Sequence, residues 1–136
     1  MQFLTQYFII GVGGALGSML RYWVATLIDS SAQKGGVIFP WGTILVNITG
    51  CFVIGFIFTI SAAEGRLFLS SLTRQFILIG ILGGYTTFSS FSLQTLTLAQ
   101  DGQWWGAAAN VVLSVVLCLI GVWFGAMLAA TLNQMR

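Results

Sequence analysis

The chain has 136 residues, of which 57% are hydrophobic and only 6% are charged, with a formal net charge of +2. A soluble domain carries about 25% charged residues, so this composition excludes an ordinary soluble protein and indicates an integral membrane protein. The small net charge gives no argument for binding nucleic acid. One membrane-spanning helix needs roughly 20 apolar residues, so the chain has room for four spans in a single domain, residues 1–136, with short loops between them.

The first two predicted spans cover residues 3–28 and 38–62. No basic segment precedes the first apolar stretch, and its length suits a span, so we expect no cleavable signal peptide. A loop beginning at Asp29 is predicted between the two spans. Pro40 suits the first turn of the second helix, because its missing N–H costs nothing at that position.

The third predicted span, residues 72–99, contains a break. Residues 80–92 read Gly-Ile-Leu-Gly-Gly-Tyr-Thr-Thr-Phe-Ser-Ser-Phe-Ser. The paired glycines and the two threonines weaken the helix where a spanning helix should be most regular. Irregular backbone at membrane depth is tolerated only where protein or a polar cavity satisfies its N–H and C=O groups. The aromatic pair and the serines after the break therefore indicate an ion pathway more than a scaffold.

The fourth predicted span, residues 104–132, follows a tight turn and opens with two tryptophans, which prefer the membrane interface. Small residues recur at four-residue spacing in three of the spans: Gly13 with Gly17, Gly80 with Gly84, and Gly121 with Gly125. In membranes such spacing lets helix backbones approach closely. The sequence therefore predicts an all-α membrane protein of four transmembrane helices packed as a compact bundle, with both termini on the same side.

The positions of the charged residues indicate which transport mechanism and which membrane topology to expect. The three carboxylates, Asp29, Glu64 and Asp101, are all predicted to lie in loops. A proton-coupled transporter normally keeps an acid inside the membrane, so this distribution disfavours a small drug–proton antiporter.

The basic residues divide into a group on the membrane side of the termini and a group on the other side: Arg66, Arg74 and Arg136 against Lys34 and Arg21. This bias is weak under the positive-inside rule, and it allows insertion in both orientations as an antiparallel pair.

Neutral polar side chains remain inside three of the spans. Thr43 and Asn47 lie on one face of the second helix, and Ser114 lies in the fourth, while the third supplies the threonines and serines of the break. Hydrogen bonding between helices explains any one of them. Together they offer hydroxyl and amide donors, which replace part of the hydration shell of a small anion. Phenyl rings add a positive edge, and the absence of a lining cation favours release as well as entry.

The two cysteines, Cys51 and Cys118, both fall in apolar segments. We expect them to be small packing residues rather than a disulfide. Histidine is absent from the chain, which removes the usual metal ligand and the usual proton shuttle near neutral pH. A four-helix chain does not easily enclose a water-filled pathway by itself, so a homo-oligomer is expected.

Three stretches of the sequence resemble the signature sequences of the Fluc (CrcB) fluoride channels. They read Gly-Gly-Ala-Leu-Gly-Ser-Met-Leu-Arg at 13–21, Trp-Gly-Thr-Ile-Leu-Val-Asn at 41–47 and Gly-Gly-Tyr-Thr-Thr-Phe-Ser-Ser-Phe-Ser at 83–92. The length, the four-span layout and the order of the spans match over essentially the whole chain. The resemblance implies an antiparallel, dual-topology homodimer with two fluoride pores and a structural Na⁺ ion at the centre of the interface.

The resemblance also implies roles for particular residues. Aromatic ring edges, one amide and a set of hydroxyls are implied to line the fluoride pore: Phe88, Phe91, Asn47, Thr43, Ser89, Ser90, Ser92 and Ser114. The backbone carbonyls of Gly83 and Thr86 are implied to hold sodium, and Arg21 to lie near an aqueous vestibule. The chain departs from the family at Gln94, where an acid is common, and in the fourth span at Asn110 and Cys118.

The sequence thus predicts a passive, fluoride-selective channel, and not an enzyme, in a bacterial cytoplasmic membrane. Hydrogen fluoride enters a cell as a neutral weak acid and dissociates inside, and the trapped anion leaves down its electrochemical gradient, which gives fluoride resistance. Two alternatives stay open. A small dual-topology drug–proton antiporter lacks its membrane-embedded carboxylate here, and a membrane scaffold would explain the small residues but not the hydroxyls aligned beside a broken helix.

Overall fold

The computed structural model describes residues 2–33, 39–62 and 65–135. Within this part of the chain, four helical segments are long and apolar enough to cross a membrane: Phe3–Ala32, Trp41–Ile60, Ser71–Gln100 and Trp104–Gln134. The predicted all-helical fold with four spans is therefore confirmed. The charges of Lys34, Glu64 and Arg136, which entered the predicted distribution of charge, lie outside the described residues.

Three of the spans are single helices, and the third is built from several pieces. The single helices are α1 (Gln2–Gln33), α2 (Trp41–Ile60) and α6 (Trp104–Gln134). The third span consists, in chain order, of α3 (Ser71–Gln75), a π-helical segment (Phe76–Ile81), α4 (Leu82–Tyr85) and α5 (Phe88–Gln100). Helices α2 and α6 are the most extensively packed pair, and α1 packs mainly along the first half of the third span.

Helix α1 extends past the predicted end of the first span, at residue 28, as far as Gln33. The prediction that Asp29 lies in a loop is therefore wrong. Its Oδ1 accepts a hydrogen bond from the backbone N–H of Gly42 at 2.8 Å, in the first turn of α2. This bond satisfies one of the amides that a helix start leaves without a partner, and a carboxylate is favourable at the positive end of the helix dipole. The contact fastens the end of α1 to the beginning of α2.

Glycines bring helix backbones into direct contact at the predicted spacings. A Cβ added at Gly17 would collide with the carbonyl oxygen of Ile81, and one added at Gly84 would lie 2.5 Å from the carbonyl oxygen of Gly14. In the other half of the bundle, a Cβ at Gly121 would lie 3.1 Å from the carbonyl oxygen of Ile48. Because only glycine leaves room for these approaches, its spacing determines how α1 meets the third span and how α6 meets α2.

The third span is irregular in two places. In the π-helical segment Phe76–Ile81 each turn is wider than in an α-helix, and nothing in the sequence predicted it. Further on, Thr86 has ψ of 154° and Thr87 has φ of −151° and ψ of 117°, so both are extended and separate α4 from α5. The break predicted within Gly83–Thr87 is therefore observed, at the C-terminal end of that stretch.

We expect Gly17→Ala to destabilise the fold, because the new methyl group would meet the carbonyl oxygen of Ile81 and, at 2.8 Å, the amide nitrogen of Tyr85. Overpacking of this kind costs about 1–3 kcal/mol. Gly106→Ala is the matched control, since its methyl group would have no neighbour closer than 3.6 Å. Thermal unfolding in detergent, followed by tryptophan fluorescence, should show a lower Tm for Gly17→Ala alone. Equal midpoints for the two variants would contradict the backbone contact.

Candidate functional site

A side chain from α2 holds the break in the third span. The Oδ1 atom of Asn47 accepts a hydrogen bond from the backbone N–H of Thr87 at 2.7 Å, and its Nδ2 donates to the carbonyl oxygen of Thr87 at 2.9 Å. Both residues are 8% exposed. A buried polar group left without a partner costs about 1–3 kcal/mol. One amide side chain therefore replaces two backbone hydrogen bonds that the extended conformation gives up.

Two backbone carbonyls lose their helical donors at the same point. In a continuous α-helix the carbonyl of Gly83 would accept from the amide of Thr87, and that of Thr86 from the amide of Ser90. Here the amide of Thr87 donates to Asn47, and that of Ser90 donates to the Oγ1 atom of Thr87 at 3.2 Å, which caps the start of α5. Gly83 is exposed on the single chain and Thr86 is half-buried, so both carbonyls lie near a surface that a second chain could reach.

A cavity of about 310 Å³ lies beside the break, and we call it the aromatic cavity. Phe88 and Phe91, in the first turn of α5, place their ring centroids 5.0 Å apart with the ring planes tilted by 54°. Phe91 is buried, whereas Phe88 is 75% exposed on the single chain. The walls contributed by α2 and α6 include Asn47, Cys51, Ser114 and Cys118. Four predicted pore residues, Asn47, Phe88, Phe91 and Ser114, are thus brought together.

A second, more polar cavity of about 370 Å³ lies on the other side of Thr87, and we call it the arginine cavity. Its lining includes Arg21, Thr43 and Ser90, so the arginine predicted for the vestibule shares one cavity with two of the predicted hydroxyls. Thr87 lines both cavities. The break therefore lies where the two cavities adjoin, and the residue that Asn47 holds forms part of the wall of each.

The remaining predicted hydroxyls, Ser89 and Ser92, line neither of these two cavities. The hydroxyl of Ser92 donates to the carbonyl oxygen of Phe88 at 2.9 Å, and the hydroxyl of Ser89 lies 3.2 Å from Oγ1 of Thr87. Both serines are exposed on the single chain. Their contact with an ion stays a prediction, as it does for the other residues of the predicted pore.

Two polar residues near the cavities were not among the predicted site residues. Asn110 is 1% exposed, and its Nδ2 donates to Oγ1 of Thr95 at 2.8 Å, which ties α6 to α5. Its Oδ1 accepts from the hydroxyl of Ser114 at 3.4 Å. Gln94 lines the arginine cavity, and its buried Oε1 has no hydrogen-bond partner among the described residues. In the sequence, Asn110 stands out as a polar residue in an apolar span, and Gln94 stands out because the family commonly has an acid at its position.

Comparison with known proteins identifies the family of the chain. Residues 8–126 match the model of the family described as CrcB-like protein, Camphor Resistance (CrcB). The chain belongs to the CrcB-like family. A relative named fluoride-specific ion channel FluC, from Rhodospirillum rubrum, is 56% identical over 128 residues, which cover 94% of this chain and 97% of the relative. Another of the same name, from Opitutus terrae, is 50% identical over 133 residues, 98% of each chain.

These relatives are named as ion channels, so the CrcB-like family is one of channels and not of enzymes. The resemblance that the three sequence stretches predicted is therefore confirmed, and the chain is a multi-pass membrane protein.

Asn47→Ala is expected to destabilise this CrcB-like protein, because the N–H and the C=O of Thr87 both lose a buried partner, at about 1–3 kcal/mol for each group. Asn47→Asp keeps an acceptor for the N–H, but it loses the donor to the carbonyl and adds a carboxylate that is costly to bury, so we expect a loss of stability there too. Thr43→Val, which is also buried on α2, is the control. In thermal unfolding, both Asn47 variants should have lower midpoints than Thr43→Val. A midpoint equal to that of Thr43→Val would show that Asn47 does not anchor the break.

Proposed function

We propose that this chain is a passive channel for fluoride. The single observation that supports this most is the aromatic cavity, where phenyl rings, an amide and a hydroxyl converge beside a broken helix and no carboxylate is among the lining residues. The relatives named fluoride-specific ion channel align with nearly the whole chain. Flux needs only a path and a gradient, so the proposal requires no energy source and no reactive cofactor.

The lining of the aromatic cavity suits a small, strongly hydrated anion. A primary amide has two N–H donors, and the carbonyl of Thr87 takes one from Asn47; we assign the other to the ion. The hydroxyl of Ser114 donates to Asn110 in a long bond of 3.4 Å, and it would turn from Asn110 to the ion. The rings of Phe88 and Phe91 offer their positive edges. Conduction requires that binding be weak enough for exit, and neutral donors meet that requirement better than a lysine or arginine in the same wall.

The proposed route joins the two cavities at Thr87. The anion would gather near Arg21 in the arginine cavity, pass the hydroxyls of Thr43 and Ser90, and reach Asn47 and the two rings. Ser89 and Ser92 would line its continuation along the exposed side of α5. Arg21 is half-buried and outside the aromatic cavity, so its charge attracts the anion without holding it at the narrowest part of the route.

We further propose that the working unit is an antiparallel homodimer with two pores. Phe88 is 75% exposed on the single chain although its neighbour Phe91 is buried, so a second copy covering this surface would complete the wall of the aromatic cavity. The weak charge bias between the two sides of the membrane supports insertion in both orientations. An antiparallel pair repeats each cavity once, and hence two pores are expected.

A sodium ion fits the backbone at the centre of such a dimer. The carbonyls of Gly83 and Thr86 have lost their helical amide donors to side chains, and hard cations prefer oxygen ligands of this kind. These two carbonyls from each chain would hold the ion. When bound, the ion would supply positive charge that compensates the carbonyl dipoles and links the subunits, away from the fluoride route.

In a cell this channel would export fluoride that accumulates as hydrogen fluoride dissociates in the cytoplasm, and so give fluoride resistance. The bacterial cytoplasmic membrane is the proposed location, since export from the cytoplasm requires a channel across the membrane that bounds it. A drug–proton antiporter is not favoured: of the carboxylates in the described residues, Asp101 lines a cavity with Gln103 and Asp29 lines both that cavity and the arginine cavity, but neither lines the aromatic cavity. No observation favours a scaffold.

Phe88→Ile and Phe91→Ile test the role of the rings. Isoleucine keeps apolar bulk but has no positive edge. A loss of about 1.4 kcal/mol of stabilisation of the ion at the limiting barrier slows flux about tenfold. We expect at least this reduction in both variants, measured with a fluoride electrode as efflux from proteoliposomes. Phe68→Ile, at an exposed site between α2 and α3, is the control. Normal flux in both ring variants would reduce the pair to packing, and absence of fluoride flux in the unaltered protein would overturn the proposed function.

Sodium removal tests the proposed ion at the dimer centre. After prolonged dialysis into buffer with N-methylglucamine as the only monovalent cation, we expect a smaller dimer fraction in detergent and lower flux after reconstitution. Readdition of sodium should restore both, and potassium at the same ionic strength should not, because carbonyl cages discriminate by ion size. Dimers that are equally stable in the three cations would contradict a structural sodium ion.

A further inference from the structure

Two cysteines line the aromatic cavity from neighbouring helices. Cys51 lies on α2 and Cys118 on α6, both are free thiols, and both belong to the cavity wall. Each lies four residues beyond another residue of the same wall, Cys51 beyond Asn47 and Cys118 beyond Ser114, so both side chains face this cavity from their helices. Gly121, one turn beyond Cys118, keeps the backbones of these helices close. Helix packing therefore places two thiols in the wall of one cavity of the proposed pore.

The donor set determines which ligands this pair could take. Thiolates select soft metal ions. A structural zinc ion takes four ligands, and the described residues contain no group of three or more His, Cys, Asp or Glu that could hold a metal. Two thiolates without further ligands suit an ion that is stable with two soft ligands in a line, as Hg(II) is. The complex of a divalent ion with two thiolates is neutral, which an apolar wall accepts more readily than a charge.

We propose that Cys51 and Cys118 form a binding site for a soft, two-coordinate metal ion in the wall of the aromatic cavity. Two S–H bonds are replaced by two S–metal bonds, two protons are released, and neither sulfur nor metal changes oxidation state. The bound ion would lie beside Asn47 and Ser114 and narrow the space next to the phenylalanine rings. Its effect on transport rests on the proposed function, because it assumes that fluoride passes this cavity.

Binding is tested first without fluoride. Reduced protein in detergent is titrated with HgCl₂ in the presence of glutathione as competitor. The protein is then freed of glutathione by gel filtration, and its remaining thiols are counted with a chromogenic disulfide. We expect one Hg(II) per chain to consume both thiols. In Cys51→Ala and Cys118→Ala the apparent affinity should fall about a hundredfold or more, since the second thiolate of the unaltered protein binds intramolecularly. Two Hg(II) per chain, or single variants that bind as tightly as the unaltered protein, would overturn the site.

Transport is tested separately in proteoliposomes. At an HgCl₂ and glutathione concentration that saturates only the unaltered protein, fluoride efflux should fall at least about tenfold and recover with dithiothreitol, matching an added barrier of about 1.4 kcal/mol or more. Each single variant is compared with its own untreated rate and should be insensitive. Full flux with the metal bound would overturn its place beside the pathway. A lack of fluoride flux in untreated protein would instead overturn the proposed function and leave the thiol titration as the measure of the site.

Discussion

A helix that stops inside a membrane must replace the hydrogen bonds that it gives up, because lipid offers none. The rest of this structure depends on how that requirement is met at Thr87. The Asn47 side chain is a donor and an acceptor on one rigid amide, so it satisfies the carbonyl and the N–H of the same residue. The extended backbone is thereby held on α2, and α5 begins anew with its first-turn phenylalanines directed to the aromatic cavity.

The position of the break is fixed by close backbone packing on both sides. On one side, Gly13 and Gly17 admit the third span against α1, and the hydroxyl of Ser18 lies 3.4 Å from the carbonyl oxygen of Gly84. On the other side, a Cβ at Gly50 of α2 would collide with the side chain of Thr86. Gly50 lies one turn beyond Asn47, so the same face of α2 that supplies the anchor also leaves space for the residue beside it.

The sequence predicted the features that follow from composition and local pattern. Apolar length gave the four spans, and glycine spacing anticipated the close contacts of α1 with the third span and of α6 with α2. The π-helical segment has no local signal in the sequence, and it packs closely against Gly13 of another helix. Asp29 lies in a sequence typical of a turn, and its helical conformation is supported by the amide of Gly42, which is distant in the chain.

The sequence predicted the residue types of the candidate site better than the contacts that each of these residues makes. The four-residue spacing placed Thr43 and Asn47 on one face, yet they line different cavities, because Thr87 comes between the two. A run of serines predicted a stripe of hydroxyls, but the hydroxyl of a helical serine often bonds to its own backbone. Ser92 does so with the carbonyl of Phe88. Residue spacing therefore predicts which residues share one face of a helix. The folded structure decides which of their hydroxyls bond to the backbone of their own helix.

In the proposed channel, one break in a helix serves two ions of opposite sign without a charged side chain at either site. Side chains take over the amides of Thr87 and Ser90, so the carbonyls of Gly83 and Thr86 lose their helical donors and become available to a cation. The same anchor places the second N–H of Asn47 at the wall of the aromatic cavity, where an anion needs donors. A carboxylate at position 47 would accept from Thr87 but would repel both the carbonyl and the anion, and an apolar residue would serve neither. In the proposed channel the neutral amide would thus be required by the backbone and by the ion together, and fold stability and conduction would depend on the same side chain, that of Asn47.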